Sequence, residues 1–188
     1  EGGADVLKLR TTNLAYHELL RLVAESGKAV VLATGASTFD EIARGPKVLD
    51  GGGARDVILM HGFQAFPTAA TETHLRSLPL LRERFGRITG YADHADGGSP
   101  LAYLLPAAAL AAGACVIEKH ITIDREKKTE DYESSLNGPQ FKTMIKQLRQ
   151  VWPAMGDAAH DLTDAETAYR KRFKKSVVSR CAIARGQT

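Results

Sequence analysis

At 188 residues, 44% hydrophobic and 25% charged, the chain has ordinary globular composition and is long enough for one domain with a real core. A net charge of +3 is too small to imply nucleic acid, and no run of about 18 apolar residues is present to span a membrane. Cys115 and Cys181 lie in different segments without paired spacing, and Glu1–Asp5 lacks a signal peptide's basic start, so a reduced, cytoplasmic protein is expected.

The first strand-like run is Val6–Leu9. Leu19, Leu20, Val23 and Ala24 then make an apolar helical stripe that stops at Gly27. A second strand is expected at Ala29–Thr34. Thr38-Phe39-Asp40-Glu41 has capping-box spacing ahead of Ile42, so a helix starts there. Gly51-Gly52-Gly53 reads as a turn before the third strand, Val57–His61. Leu75, Leu78, Leu81 and Phe85 form the next stripe, ended by Gly86, and a strand follows at Arg87–Tyr91. Pro100 to Gly113 is an Ala/Leu-rich helix that Pro106 should kink or delay. The fifth strand is Cys115–His120. Asn137-Gly138-Pro139 opens a helix with Phe141, Ile145, Leu148 and Trp152 on one face, and Arg170–Lys175 reads as a solvated helix end.

The strand starts lie 23 to 30 residues apart, the span of a βα unit, and no hairpin signals intervene. Such units build a parallel sheet, either open and doubly wound or part of a (β/α)8 barrel. No Gly-x-Gly-x-x-Gly fingerprint follows any strand. Each run instead ends in polar residues: Lys8 with Thr11, Thr34, His61, Asp93 with His94, and Glu118 with His120. That ring suits a barrel mouth. Five units do not close an eight-stranded barrel, so the expectation is the C-terminal part of one. Two imidazoles on neighbouring strand ends can share a divalent ion, and the carboxylates beside them can orient them or handle protons.

These motifs resemble the N-acetylneuraminate (sialic acid) synthase family, including the spore-coat polysaccharide synthases. Lys8-Leu9-Arg10-Thr11 resembles the family's Lys-Ile-Gly-Ser, with the Leu19-Leu20 pair eleven residues after the lysine. Ala33-Thr34-Gly35-Ala36 resembles Ser-Thr-Gly-Met. His61-Gly62-Phe63-Gln64-Ala65-Phe66-Pro67-Thr68 resembles His-Cys-Thr-x-x-Tyr-Pro-Thr. Gly90-Tyr91-Ala92-Asp93-His94 resembles Gly-Tyr-Ser-Asp-His, and Gly113 to His120 matches Gly-Ala-x-Val-Ile-Glu-Lys-His. Thr129 to Leu136 resembles Gly-Pro-Asp-His-x-x-Ser-Leu, and the tail from Lys174 to Gly186 resembles the linker into the family's antifreeze-like (SAF) domain.

The resemblance implies strands four to eight of a (β/α)8 TIM barrel over residues 1–158, then the linker and start of a SAF-like domain over 159–188. It implies condensation of phosphoenolpyruvate with an N-acyl hexosamine of the N-acetylmannosamine type, giving a nine-carbon 2-keto sugar acid and phosphate. Manganese or magnesium would sit on His94 and His120 as a Lewis acid. Glu118 would bind a sugar hydroxyl or handle a proton, Lys8 would neutralise phosphoenolpyruvate, and Thr11 would donate to it. Asp131 would hold sugar hydroxyls. Thr34, His61, Gln64 and Phe66 complete the expected substrate contacts, and a homodimer through the SAF domain follows by resemblance alone.

Departures matter. Alanines at 33 and 92 replace family serines, Gln64 stands where Asn or Ser is usual, and Phe66 replaces a tyrosine. The loop around Ala95-Asp96-Gly97-Gly98-Ser99 is longer than the family's and lies beside the metal. Two competing readings arise: a non-catalytic or substrate-shifted homologue serving as a binding subunit, and an aldolase using Lys8 as a Schiff base. Five strands alone would leave two sheet edges uncovered, so a longer natural protein or a second chain is expected to complete the barrel, and this stretch alone to be neither stable nor active.

Overall fold

The computed structural model describes residues 3–157 and 161–187, and the chain separates into two units, Glu1–Met155 and Gly156–Thr188. In the first, strands β1 (Val6–Leu9), β2 (Ala29–Ala33), β3 (Val57–His61), β4 (Thr89–Asp93) and β5 (Val116–Lys119) form one sheet in chain order. All four pairings are parallel. Helices α1 (His17–Ala24), α2 (Phe39–Gly51), α3 (Ser77–Phe85) and α4 (Leu101–Ala111) link successive strands, and α5 (Gly138–Ala154) follows β5. The architecture is a parallel α/β half-barrel of five βα units.

Strand alternation divides the apolar residues between two layers. Leu9, Val30, Leu32, Val57 and Leu59 pack outward with Leu20 and Ala24 of α1, Ile42 and Leu49 of α2, and Leu81 of α3. Val31, Met60 and Ala92, with Ile58 and Val116, form a smaller cluster on the inner face. There the edge strands meet: Lys8 of β1 forms an ion pair with Glu118 of β5, although three strands separate them in the sheet. Only a sheet curled on itself brings those edges within reach.

Local signals set most boundaries. Thr38 Oγ1 accepts from Glu41 N at 3.3 Å while Glu41 Oε2 accepts from Thr38 N at 2.7 Å, which starts α2. Asn137 and Gln140 repeat the arrangement at α5. Gly86, at φ 61°, ends α3 in the left-handed region that glycine occupies without strain. Three expectations need correction. The fourth strand is Thr89–Asp93 rather than Arg87–Tyr91, because Arg87 turns aside to pair with Asp50 and β3 is first met at Thr89. Helix α4 starts at Leu101 and continues past Pro106 to Ala111, so the proline does not delay it, since it removes only one backbone donor. Trp152 is 60% exposed, because α5 outruns α4, and only Phe141, Ile145 and Leu148 of its stripe reach the shared core.

In the second unit, α6 (Asp164–Phe173) is capped by Thr163 and Glu166 and buries nothing, and its last turn carries Arg170, Lys171 and Arg172 as a solvated basic end. Among the described residues 174–187 carry no strand. The boundary expected between 158 and 159 lies outside the described residues. Both cysteines are free and exposed.

Candidate active site

The carboxyl ends of the strands open into a cavity of about 380 Å3. Lys8, Thr11, Gln64, Phe66, His94, Glu118, His120 and Asp131, all expected at a site, line it together. Its floor is made of Ala33, Met60, Gly62 and Ala92. Two-residue alternation explains the grouping: Ala92 and His94 share one face of β4 and its extension, and Glu118 and His120 share one face of β5.

The same rule sends other polar ends elsewhere. Thr34 and His61 are absent from this cavity and line a separate one of about 220 Å3 with Ser37, Glu72 and His74. Thr34 Oγ1 donates to the Met60 carbonyl at 3.1 Å. His61 Nε2 lies 2.9 Å from the Thr73 carbonyl, and burial pushes its imidazole below the ordinary histidine range. Asp93, read with His94 as a possible orienting carboxylate, faces away and pairs with Lys119 at 2.8 Å, both side chains fully buried. It does not touch His94.

His94 is held from both ends. Its Nδ1 lies 2.8 Å from the Phe63 carbonyl, which can only accept, so Nδ1 carries the proton and Nε2 keeps its lone pair. Its own carbonyl accepts from Ser134 Oγ at 2.8 Å and from Thr68 N at 2.9 Å. Burial pushes its imidazole below the usual range, which favours the neutral ring a metal needs. The His120 ring lies 5.2 Å from that of His94, centroid to centroid, and its Nδ1 is 3.5 Å from Asp131 Oδ2. Phe66 meets both rings edge-on, at 4.5 Å and 5.6 Å.

Among the described residues no group of three or more His, Cys, Asp or Glu forms a complete metal cage. The two imidazoles nevertheless fit an ion that takes its remaining ligands from water and substrate. Charge agrees with this: Glu118, Glu130 and Asp131 line the cavity against only Lys8 and Arg10. Sequence reasoning missed Arg10, Thr12 and Glu130. Arg10 was within reach of it, two residues beyond Lys8 in extended chain and so on the same face. Glu130 sits in a loop with no periodic signal.

The longer loop after β4 is fastened to the loop after β5. Arg125 reaches Asp96 Oδ1 at 3.0 Å, and Gly97 N donates to the Glu133 carbonyl at 2.7 Å. Ser135 Oγ donates to the Asp131 carbonyl at 2.8 Å, so the same strap steadies the residue beside His120. A Cβ on Gly97 would lie 2.0 Å from the Ser135 carbonyl oxygen, a contact that backbone alone cannot relieve. Gly97→Ala is therefore expected to cost about 1–3 kcal/mol and to loosen Asp131. Denaturant titration of the natural protein checks the first, and an unchanged midpoint would contradict it.

A parallel half-barrel with a polar cavity at the carboxyl ends of its strands is a TIM-barrel-like fold. A model of the NeuB family matches residues 1–160. The chain is 33% identical over 178 residues to the N,N'-diacetyllegionaminic acid synthase of Campylobacter jejuni, covering 94% of this chain and 51% of that one. It is 32% identical over 168 residues to a pseudaminic acid synthase of the same species, covering 89% and 47%. The crystal structure of the Leptospira borgpetersenii N-acetylneuraminic acid synthetase superposes with a TM-score of 0.82 at 24% identity, over 93% of this chain and 60% of that one, a likeness of fold. The chain belongs to the NeuB family. It spans about half the length of these curated relatives. No described helix is long and apolar enough to cross a membrane.

Proposed function

We propose that this chain is the C-terminal part, strands four to eight, of the barrel of a sugar-acid synthase. In this reading phosphoenolpyruvate condenses with an N-acyl hexosamine of the N-acetylmannosamine type, giving a nine-carbon 2-keto sugar acid and phosphate. One observation carries it: in a NeuB-family chain, His94, His120, Glu118 and Lys8 converge on one cavity at the strand ends. Manganese or magnesium held by His94 and His120 would supply Lewis-acid polarisation of the acceptor's aldehyde oxygen.

The chain's own residues do the rest. Lys8 adds positive charge beside phosphoenolpyruvate while it remains paired with Glu118. Glu118 is then placed to accept a proton from the water that adds at C2, as phosphate departs and the ketone forms. Asp131 holds acceptor hydroxyls, with Gln64 in the same cavity. Phe66 covers the two imidazoles and limits water there. The complete protein works in the cytoplasm as a homodimer joined through its SAF domain.

The deciding experiment follows phosphate release from phosphoenolpyruvate by the complete gene product, with manganese, across a panel of N-acyl hexosamines. Release requiring both a sugar and the metal is expected. No release with any acceptor would overturn the reading and leave a non-catalytic homologue.

A further inference from the structure

We infer that Arg10 is the principal anion-binding residue of this cavity, the group that receives the phosphate or carboxylate of phosphoenolpyruvate. The inference deepens the function proposed above and rests on it for the identity of the anion. Three observations lead to it. First, the floor offers no side-chain donors: Ala33, Met60, Gly62 and Ala92 present methyls, a thioether and backbone. A polyanion needs charge-assisted hydrogen bonds, so its partners must stand on the walls.

Second, the wall cations are unequal. Lys8 is already committed to Glu118, and an anion that draws it away leaves a carboxylate facing that anion. Arg10 lines the same cavity, yet among the described residues its guanidinium has neither an ion pair nor a hydrogen bond. Glu130 and Asp131 also line the cavity without engaging it. An exposed arginine left unneutralised beside three carboxylates is placed for a ligand of opposite sign.

Third, side-chain chemistry and position agree. A guanidinium binds phosphate or carboxylate through two parallel N–H bonds, which an ammonium cannot do. Thr11 and Thr12 follow Arg10 directly and also line the cavity, the Thr11 hydroxyl being held by the Gly35 carbonyl and Ser37.

The backbone gives a clean test. The Arg10 N–H donates to Asn13 Oδ1 at 3.0 Å and starts the turn at Thr11–Asn13, whereas the side chain takes no part in packing. Arg10→Ala and Arg10→Lys should therefore fold as the parent does. Phosphoenolpyruvate and inorganic phosphate binding to the complete protein would be measured by calorimetry, with synthase turnover assayed alongside. Arg10→Ala is expected to weaken both ligands about tenfold or more, with Arg10→Lys between and the acceptor KM unchanged. Anion affinity within twofold of the parent in Arg10→Ala overturns the inference, whether or not the parent is an active synthase. An inactive parent that still binds phosphate through Arg10 upholds it and discards the proposed reaction. A parent that binds neither anion discards both.

Discussion

Asp93→Asn is expected to destabilise the protein by about 3–5 kcal/mol, because it strands a buried ammonium without its counter-charge. Lys119 Nζ donates to Asp93 Oδ2 and to the Ala95 carbonyl, each at 2.8 Å, and neither charged side chain reaches solvent. The other carboxylate oxygen accepts from Tyr91 OH at 2.9 Å and from Ala95 N at 3.1 Å. An asparagine keeps the shape but not the acceptors. Its amide nitrogen would face either the ammonium or the Tyr91 and Ala95 donors, so one side loses in both orientations.

The pH dependence has a definite sign. Burial already lowers the Lys119 pKa from its ordinary 10.5, and the nearby Asp93 charge opposes that shift. Without the carboxylate the downward push is unopposed, so over the alkaline range below 10.5 the unfolded state binds more protons than the folded one. Stability of the variant then rises with pH through that window. The measurement is a denaturant midpoint across neutral to alkaline pH. A loss under about 1 kcal/mol at neutral pH would show that the pair is not the anchor its burial implies. The double change Asp93→Leu with Lys119→Met should be milder, since it leaves no charge behind.

His94→Ala is expected to lower metal-dependent phosphate release at least about 100-fold and to abolish the rise in Tm expected of the parent with manganese. The substitution isolates the ring. His94's backbone carbonyl keeps its bonds from Ser134 and Thr68, so the loop stays anchored when the imidazole is gone. What disappears is the buried, neutral donor facing His120, together with its contact to Phe66. His120→Ala should reproduce the loss of the manganese shift. A shift that survives either change would place the ion elsewhere and remove the Lewis acid from the proposed chemistry.

Much of the fold was legible because it is local. Capping boxes at Thr38 and Asn137 and a glycine stop at Gly86 mark helix ends, and strand spacing alone announces βα units. Most of the site was legible too, since Lys8, His94, Glu118 and His120 lie in short runs whose alternation is regular. Residues part company where neighbours in sequence are not neighbours in space. Asp93 adjoins His94 in the chain, but adjacent strand residues face opposite ways, and the carboxylate went to Lys119. Thr34 and His61 left the cavity for the same reason. Glu130 and the strap from Asp96 to Arg125 were invisible because loops carry no period.

The sequence by itself determined the five βα units and the parallel sense of their strands, because each depends on patterns within a few residues. Only the tertiary structure decided that Lys8 meets Glu118, 110 residues away, and that Arg10, unpaired among the described residues, lines the same cavity. Those outcomes depend on how far the sheet curls, a property summed over every strand and written in none of them.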